Sequence, residues 1–142
     1  MKFHPIRLTL SIAVILGMFV VTHIPQDRMS VDLGTFGFDK LLHAGAYFII
    51  TLSVLWSFEG RHRLFLTTVA CTVASWGAFD ELTQPMFGRT TSAGDWLADC
   101  VGVGLAVLLY RGIKMISDKQ KQQEIDPCEE YIEISVEENK VS

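Results

Sequence analysis

Four runs of about twenty apolar residues decide what this chain can fold into. A helix of that length matches the hydrocarbon thickness of a bilayer. The runs fall at about 6–24, 39–58, 64–84 and 95–116. Pro25 stops the first and Pro85 the third, as proline does where a helix cannot continue. In the last three, charge is confined to positions near the ends. The expected fold is therefore all-α: a four-helix transmembrane bundle over residues 1–117. A leader peptide is the alternative for the first run, since Lys2 and Arg7 precede it. That run ends in "VVTHIPQ", without the small residues a signal peptidase needs, so it reads as a retained anchor.

Charge supports this division. The chain has 142 residues, is 49% hydrophobic and carries a formal charge of −4. The excess is local: from Asp118 onward eight acids face Lys119, Lys121 and Lys140, while acids and bases nearly cancel before it. Residues 118–142, charged and poor in aromatics, read as an acidic and mostly disordered tail. Within it "YIEISVE" alternates like a short strand. No basic patch with interleaved aromatics is present, which argues against a nucleic-acid partner. Cys71, Cys100 and Cys128 stand singly, without metal-ligand spacing, and read as small apolar fillers.

The basic residues give a direction. Lys2 and Arg7 precede the first span, Arg61 and Arg63 occupy the connector "EGRHR", and Arg111 and Lys114 close the fourth. Only Arg28, Lys40 and Arg89 fall on the other side. The positive-inside rule then puts both termini in the cytoplasm and the loops around 25–38 and 85–94 outside.

That topology gathers chain-distant polar residues at one end. Asp39, Lys40 and His43 open the second span. Asp80, Glu81 and Gln84 close the third, Arg89 follows, and Asp95 and Asp99 open the fourth. Asp39, His43 and Tyr47 share one helix face at i, i+4, i+8. Asp80 pairs with Gln84, and Asp95 with Asp99, at the same spacing. Gly102 and Ala106 continue the last stripe and favour close helix approach. Ionisable groups in spans usually face the bundle interior or a water-filled cavity.

Some of these residues have bland readings. Asp39 suits an N-cap. Ser92 to Asp95, "SAGD", has the form of a capping box with Asp replacing Glu. Lys40 can snorkel, Gln84 can plug a helix end, and His43 alone can be a hydrogen-bonded core residue. His23 carries a weaker signal. Trp56, Trp76 and Trp96 read as interfacial anchors, with Trp76 deep enough to pack between helices. Asp99 resists such a reading, because a lone carboxylate one turn inside a span costs roughly 2.5–3.5 kcal/mol. Asp80 and Glu81 sit at a helix C-terminus, where negative charge is disfavoured, so something positive must compensate. His43, Glu81 and Asp80 are the catalytic candidates, with His43 as acid–base group. Arg89, Lys40, Gln84 and Tyr47 are the substrate-binding candidates, Arg89 as a fork for phosphate. Asp39, Asp95 and Asp99 are candidate oxygen ligands for a divalent cation.

"DKLLHAGAYF", "FDELTQ", "GRTTSAGDWLAD" and "VGVGLA" together resemble the VanZ-like family of bacterial membrane proteins. The likeness covers about residues 33–109. Its pattern falls on Asp39, Lys40, His43, Tyr47, Asp80, Glu81, Gln84, Arg89, Asp95 and Gly102. One position departs, with Asp99 where the family usually has asparagine. The resemblance implies a small multi-pass protein of the bacterial cytoplasmic (inner) membrane with a role in the cell envelope. Three functions follow as expectations. In the first, the polar layer binds or processes an anionic envelope lipid or lipid-linked phosphate. In the second, it is a structural salt-bridge network of a scaffold or partner-binding module. A carrier is disfavoured, because carriers place their binding groups near the midplane.

Overall fold

The computed structural model describes residues 4–24, 38–58, 62–88 and 91–141, with side chains described as far as residue 123. Among these residues the chain forms four α-helices: α1 (Pro5–Thr22), α2 (Phe38–Ser57), α3 (Arg63–Thr83) and α4 (Ala93–Val141). A 3₁₀ turn, Gln84–Phe87, follows α3. Local chemistry sets the boundaries. Pro5 opens α1 at a position where its missing N–H is not needed. The 3₁₀ turn ends at Gly88, whose φ of 76° suits a residue without a Cβ.

Among the described residues, three helical segments are long and apolar enough to cross a membrane: Pro5–Thr22, Phe38–Ser57 and Ala93–Gln123. α3 has 21 residues, a sufficient length, but Thr67, Thr68, Thr72, Ser75, Asp80 and Glu81 lower its mean hydropathy. The expected tail differs most from the outcome. Residues 118–141 continue α4 as helix, 131–137 included. Lys, Gln and Glu are good helix formers, so a segment too polar to build a core can still wind locally. Pro127 lies inside this helix and supplies no N–H to its ladder.

Residues Met1–Tyr110 form one compact unit and Arg111–Ser142 another. In the first unit the helices run up, down, up, down. At one end, His4 N–H donates to Ser57 O at 3.0 Å and Ser11 Oγ meets Ser57 Oγ at 2.7 Å. Tyr110 Oη reaches Phe58 O at 3.5 Å at that same end. Tyr47, Ile50, Leu55, Leu66, Val69, Val73 and Val103 form the core. Leu10, Leu16, Leu41, Ile49, Leu64 and Leu105 point outward and are exposed. So much outward apolar surface suits a lipid surround better than water.

Small residues let α2 and α4 touch. A Cβ on Gly102 would stand 2.1 Å from Ala44 O, closer than any real Cβ contact. Trp96 joins α4 to α3, its Nε1–H donating to Ala74 O at 3.1 Å. Trp76 packs against Phe19 and Phe79, between helices.

Candidate polar site

At the end of the unit opposite His4, four helices deliver polar side chains to one layer. The stripes read from the sequence explain why. His43 and Tyr47 share the buried face of α2, and Asp80 and Glu81 close α3. Asp95 and Asp99 lie one turn apart on α4. All six are buried, and Asp99 is fully so.

His43 is the hub. Its Nδ1 lies 3.0 Å from Asp99 Oδ1 and 3.8 Å from Glu81 Oε1. Glu81 is held from its other side, where Oε2 accepts the Ser92 backbone N–H at 3.0 Å. Thr91 Oγ1 donates to the Glu81 carbonyl at 3.2 Å. Gln84 Nε2 reaches Asp80 Oδ2 and Glu81 Oε1, both at 3.4 Å. Gln84 thus bridges the two adjacent acids instead of merely filling a helix end. Lys40 Nζ donates to Asp95 Oδ1 at 2.8 Å, with the Lys40 side chain 40% exposed at the rim.

This geometry corrects two local readings. Asp39 is not the N-cap of α2. It lies inside the first turn, where a carboxylate is favoured by the helix dipole. The reciprocal capping box of "SAGD" does not form, because Ser92 N–H goes to Glu81 and Asp95 binds Lys40. Trp96, read as an interfacial anchor, hydrogen-bonds Ala74 O of α3.

α1 contributes more than its sequence suggested. Thr22 Oγ1 donates to Asp80 Oδ1 at 2.9 Å. His23, 7% exposed, faces the carbonyl of Phe19 with Nδ1 at 2.8 Å. A carbonyl only accepts, so Nδ1 carries a proton, while Nε2 lies 2.9 Å from Thr83 Oγ1. His23 Nδ1 also lies 3.6 Å from Asp80 Oδ1. The compensation demanded at the end of α3 therefore comes from two histidines, a threonine, an amide and a backbone N–H. The available signal for His23 and Thr22 was their position, since the end of the first span lies level with the layer.

Among the described residues, two sets of side chains could hold a metal ion: Asp39, His43 and Asp95, and His43, Glu81 and Asp99, each with ligand atoms within 4.8 Å of one another. The expected oxygen-only set of Asp39, Asp95 and Asp99 is not one of them. Tyr47 stands beside the second set. A Cβ on Gly77 would be 3.1 Å from both Tyr47 Cε1 and Asp99 Oδ2. Arg89, the expected phosphate fork, lies outside the described residues.

Below the layer an apolar cavity of about 420 Å³ opens among α1, α2 and α3, lined by Ile15, Ile50, Phe65, Val69, Thr72 and Trp76 among others. Trp76 precedes Asp80 by one helical turn, about 6 Å along the axis. Comparison of the chain with protein-family models, curated proteins and solved structures returned no match.

Proposed function

We propose that this chain is a multi-pass protein of the bacterial cytoplasmic membrane, of the VanZ-like type. Its extracytoplasmic polar layer binds or processes an anionic envelope lipid or lipid-linked phosphate. In this reading α3 is the fourth span, its polar groups turned to the interior where neighbouring helices satisfy them. The observation that carries the reading is the vertical order of the site. Buried His43, Glu81 and Asp99 stand with the half-open Lys40 at one end of the bundle, and an apolar cavity begins about one turn beneath Asp80. An amphiphile has that same order, with a charged head above an apolar chain. Lys40 and Arg89 would meet the head, and His43 would move a proton.

The second reading, a non-catalytic scaffold, is favoured by the completeness of the network. Among the described buried side-chain polar atoms, all but one have a hydrogen-bond partner. A scaffold needs that completeness. The exception, Asp99 Oδ2, lies in the middle of the layer and favours a ligand.

Native mass spectrometry of the protein, extracted gently from its own membrane, tests the choice. A phosphate-bearing lipid adduct on wild type, lost from Glu81→Gln and Asp99→Asn, is the expected result. A bare protein mass, identical in all three, would leave the scaffold reading.

A further inference from the structure

We propose that His43, Glu81 and Asp99 form a binding site for one divalent first-row metal ion of the zinc class, at the floor of the polar layer. The inference rests on the layer being a ligand site and names what holds an anionic group there.

Geometry comes first. The three side chains come from three helices and are 6%, 3% and 0% exposed. His43 Nδ1 lies 3.0 Å from Asp99 Oδ1 and 3.8 Å from Glu81 Oε1, and the three donor atoms fall within 4.8 Å of one another. Atoms so spaced share a point near the roughly 2.0–2.2 Å at which imidazole nitrogen and carboxylate oxygen bind zinc. Glu81 is already oriented, because Ser92 N–H fixes Oε2 at 3.0 Å and leaves Oε1 turned to His43. Metal-binding carboxylates are commonly held by such an outer hydrogen bond.

The independent observation is Asp99 Oδ2. It is the one described buried side-chain oxygen or nitrogen without a hydrogen-bond partner. A fully buried carboxylate with one unsatisfied oxygen is costly. The glycine at position 77 keeps room beside that oxygen, since a Cβ there would stand 3.1 Å away.

Charge points the same way. Asp80, Glu81, Asp95 and Asp99 are all buried. Among the described residues, Lys40 supplies the one permanent positive charge hydrogen-bonded to a carboxylate of this layer, and it binds Asp95 at the rim. A second cation, seated between Glu81 and Asp99, offsets the remaining repulsion and lets an anionic headgroup approach acids that would otherwise repel it. One imidazole nitrogen with two carboxylates favours zinc, manganese or iron(II) over magnesium or calcium, which take oxygen. Three protein ligands leave a coordination position for water or a phosphate oxygen. On binding, the metal takes the Nδ1 lone pair, and a proton shared between His43 Nδ1 and Asp99 Oδ1 is released to solvent.

The test uses the full chain in detergent, stripped with chelator and dialysed against zinc, with metal content read by mass spectrometry. One zinc per chain is expected, and its binding raises the thermal midpoint read from tryptophan fluorescence. His43→Gln, Glu81→Gln and Asp99→Asn should each weaken zinc binding at least about tenfold. Each should still melt cooperatively, but without the zinc-induced rise. His62→Gln, exposed at the start of α3 and away from both sets, should keep one zinc. Cobalt in place of zinc should give visible absorption that changes when inorganic phosphate is added. Zinc content at the buffer level, or equal binding by wild type and all three variants, overturns the proposal. The lipid reading fails separately. Zinc binding without a lipid adduct refutes the lipid and keeps the metal. A lipid adduct unaffected by chelator, on a chain that takes no zinc, does the reverse.

Discussion

At Gly102 a side chain has no room at all. Its Cβ would fall 2.1 Å from Ala44 O, a backbone atom that cannot rotate away. Gly102→Val should therefore force α4 off α2 and destabilise the bundle by about 1–3 kcal/mol or more. Gly104, which meets nothing within 4 Å, should accept alanine with little change. Chemical unfolding of both variants in detergent checks the contrast. If Gly102→Val unfolds with wild-type stability, the contact between the two helices is wrong. Single residues also show what can be read from a sequence. His43, Glu81 and Asp99 were legible because ionisable groups inside apolar runs need partners, and turn spacing said which face they share. Thr22 and His23 were obscured. Threonine is common in spans, and nothing local indicated that Asp80 of α3 would lie 2.9 Å from Thr22 Oγ1. That distance depends on how α1 and α3 pack, which no local pattern encodes.

At the scale of the helices, positions along the chain were legible and partnerships were not. The starts and ends of α1, α2 and α3 fall within about two residues of the apolar runs and their prolines, as helix ends usually allow. The continuation of α4 beyond 118 was missed, because polarity says that a segment builds no core and not that it cannot wind. The indole of Trp96 shows a partnership hidden from sequence. Trp96→Phe keeps the ring and removes only the 3.1 Å bond to Ala74 O. Interhelical hydrogen bonds in membranes contribute about 0.6 kcal/mol on average, so a loss of that order is expected in unfolding titrations. Trp96→Ala should cost more. A loss in Trp96→Phe as large as that in Trp96→Ala would mean that the N–H, and not the ring packing, holds α3 to α4. The cavity yields a second prediction at this scale. Thr72 lines it from an exposed position, so Thr72→Trp can fill the space without rebuilding the core. Lipid occupancy in native mass spectra should fall at least about fivefold, equivalent to about 1 kcal/mol. Thr72→Ala should leave occupancy unchanged. Equal occupancy in both would show that the acyl chain lies elsewhere.

For the molecule as a whole the decisive property is direction across the membrane. Packing already pairs the ends: the start of α1 meets the end of α2, and the end of α1 meets the end of α3. The polar layer therefore lies at one end of the unit whatever the orientation. The orientation follows from how the bases are distributed between the two ends of the helices. Lys2, Arg7, Arg61 and Arg63 flank the helix ends away from the layer, against Arg28, Lys40 and Arg89 on the other side, so the layer should face outward. Cysteine labelling in intact cells tests this, with Cys71, Cys100 and Cys128 first replaced by serine. A cysteine at Met86, 82% exposed on the 3₁₀ turn, should react with a membrane-impermeant maleimide. A cysteine at His62, exposed just before α3, should react only after permeabilisation. Opposite behaviour at the two sites means that α3 crosses, although it is less apolar than the spans in the other three helices. Labelling of both sites from outside would make α3 a re-entrant helix. Labelling of His62 alone would invert the protein and put the polar layer on the cytoplasmic face, where an envelope lipid headgroup presented from outside could not reach it.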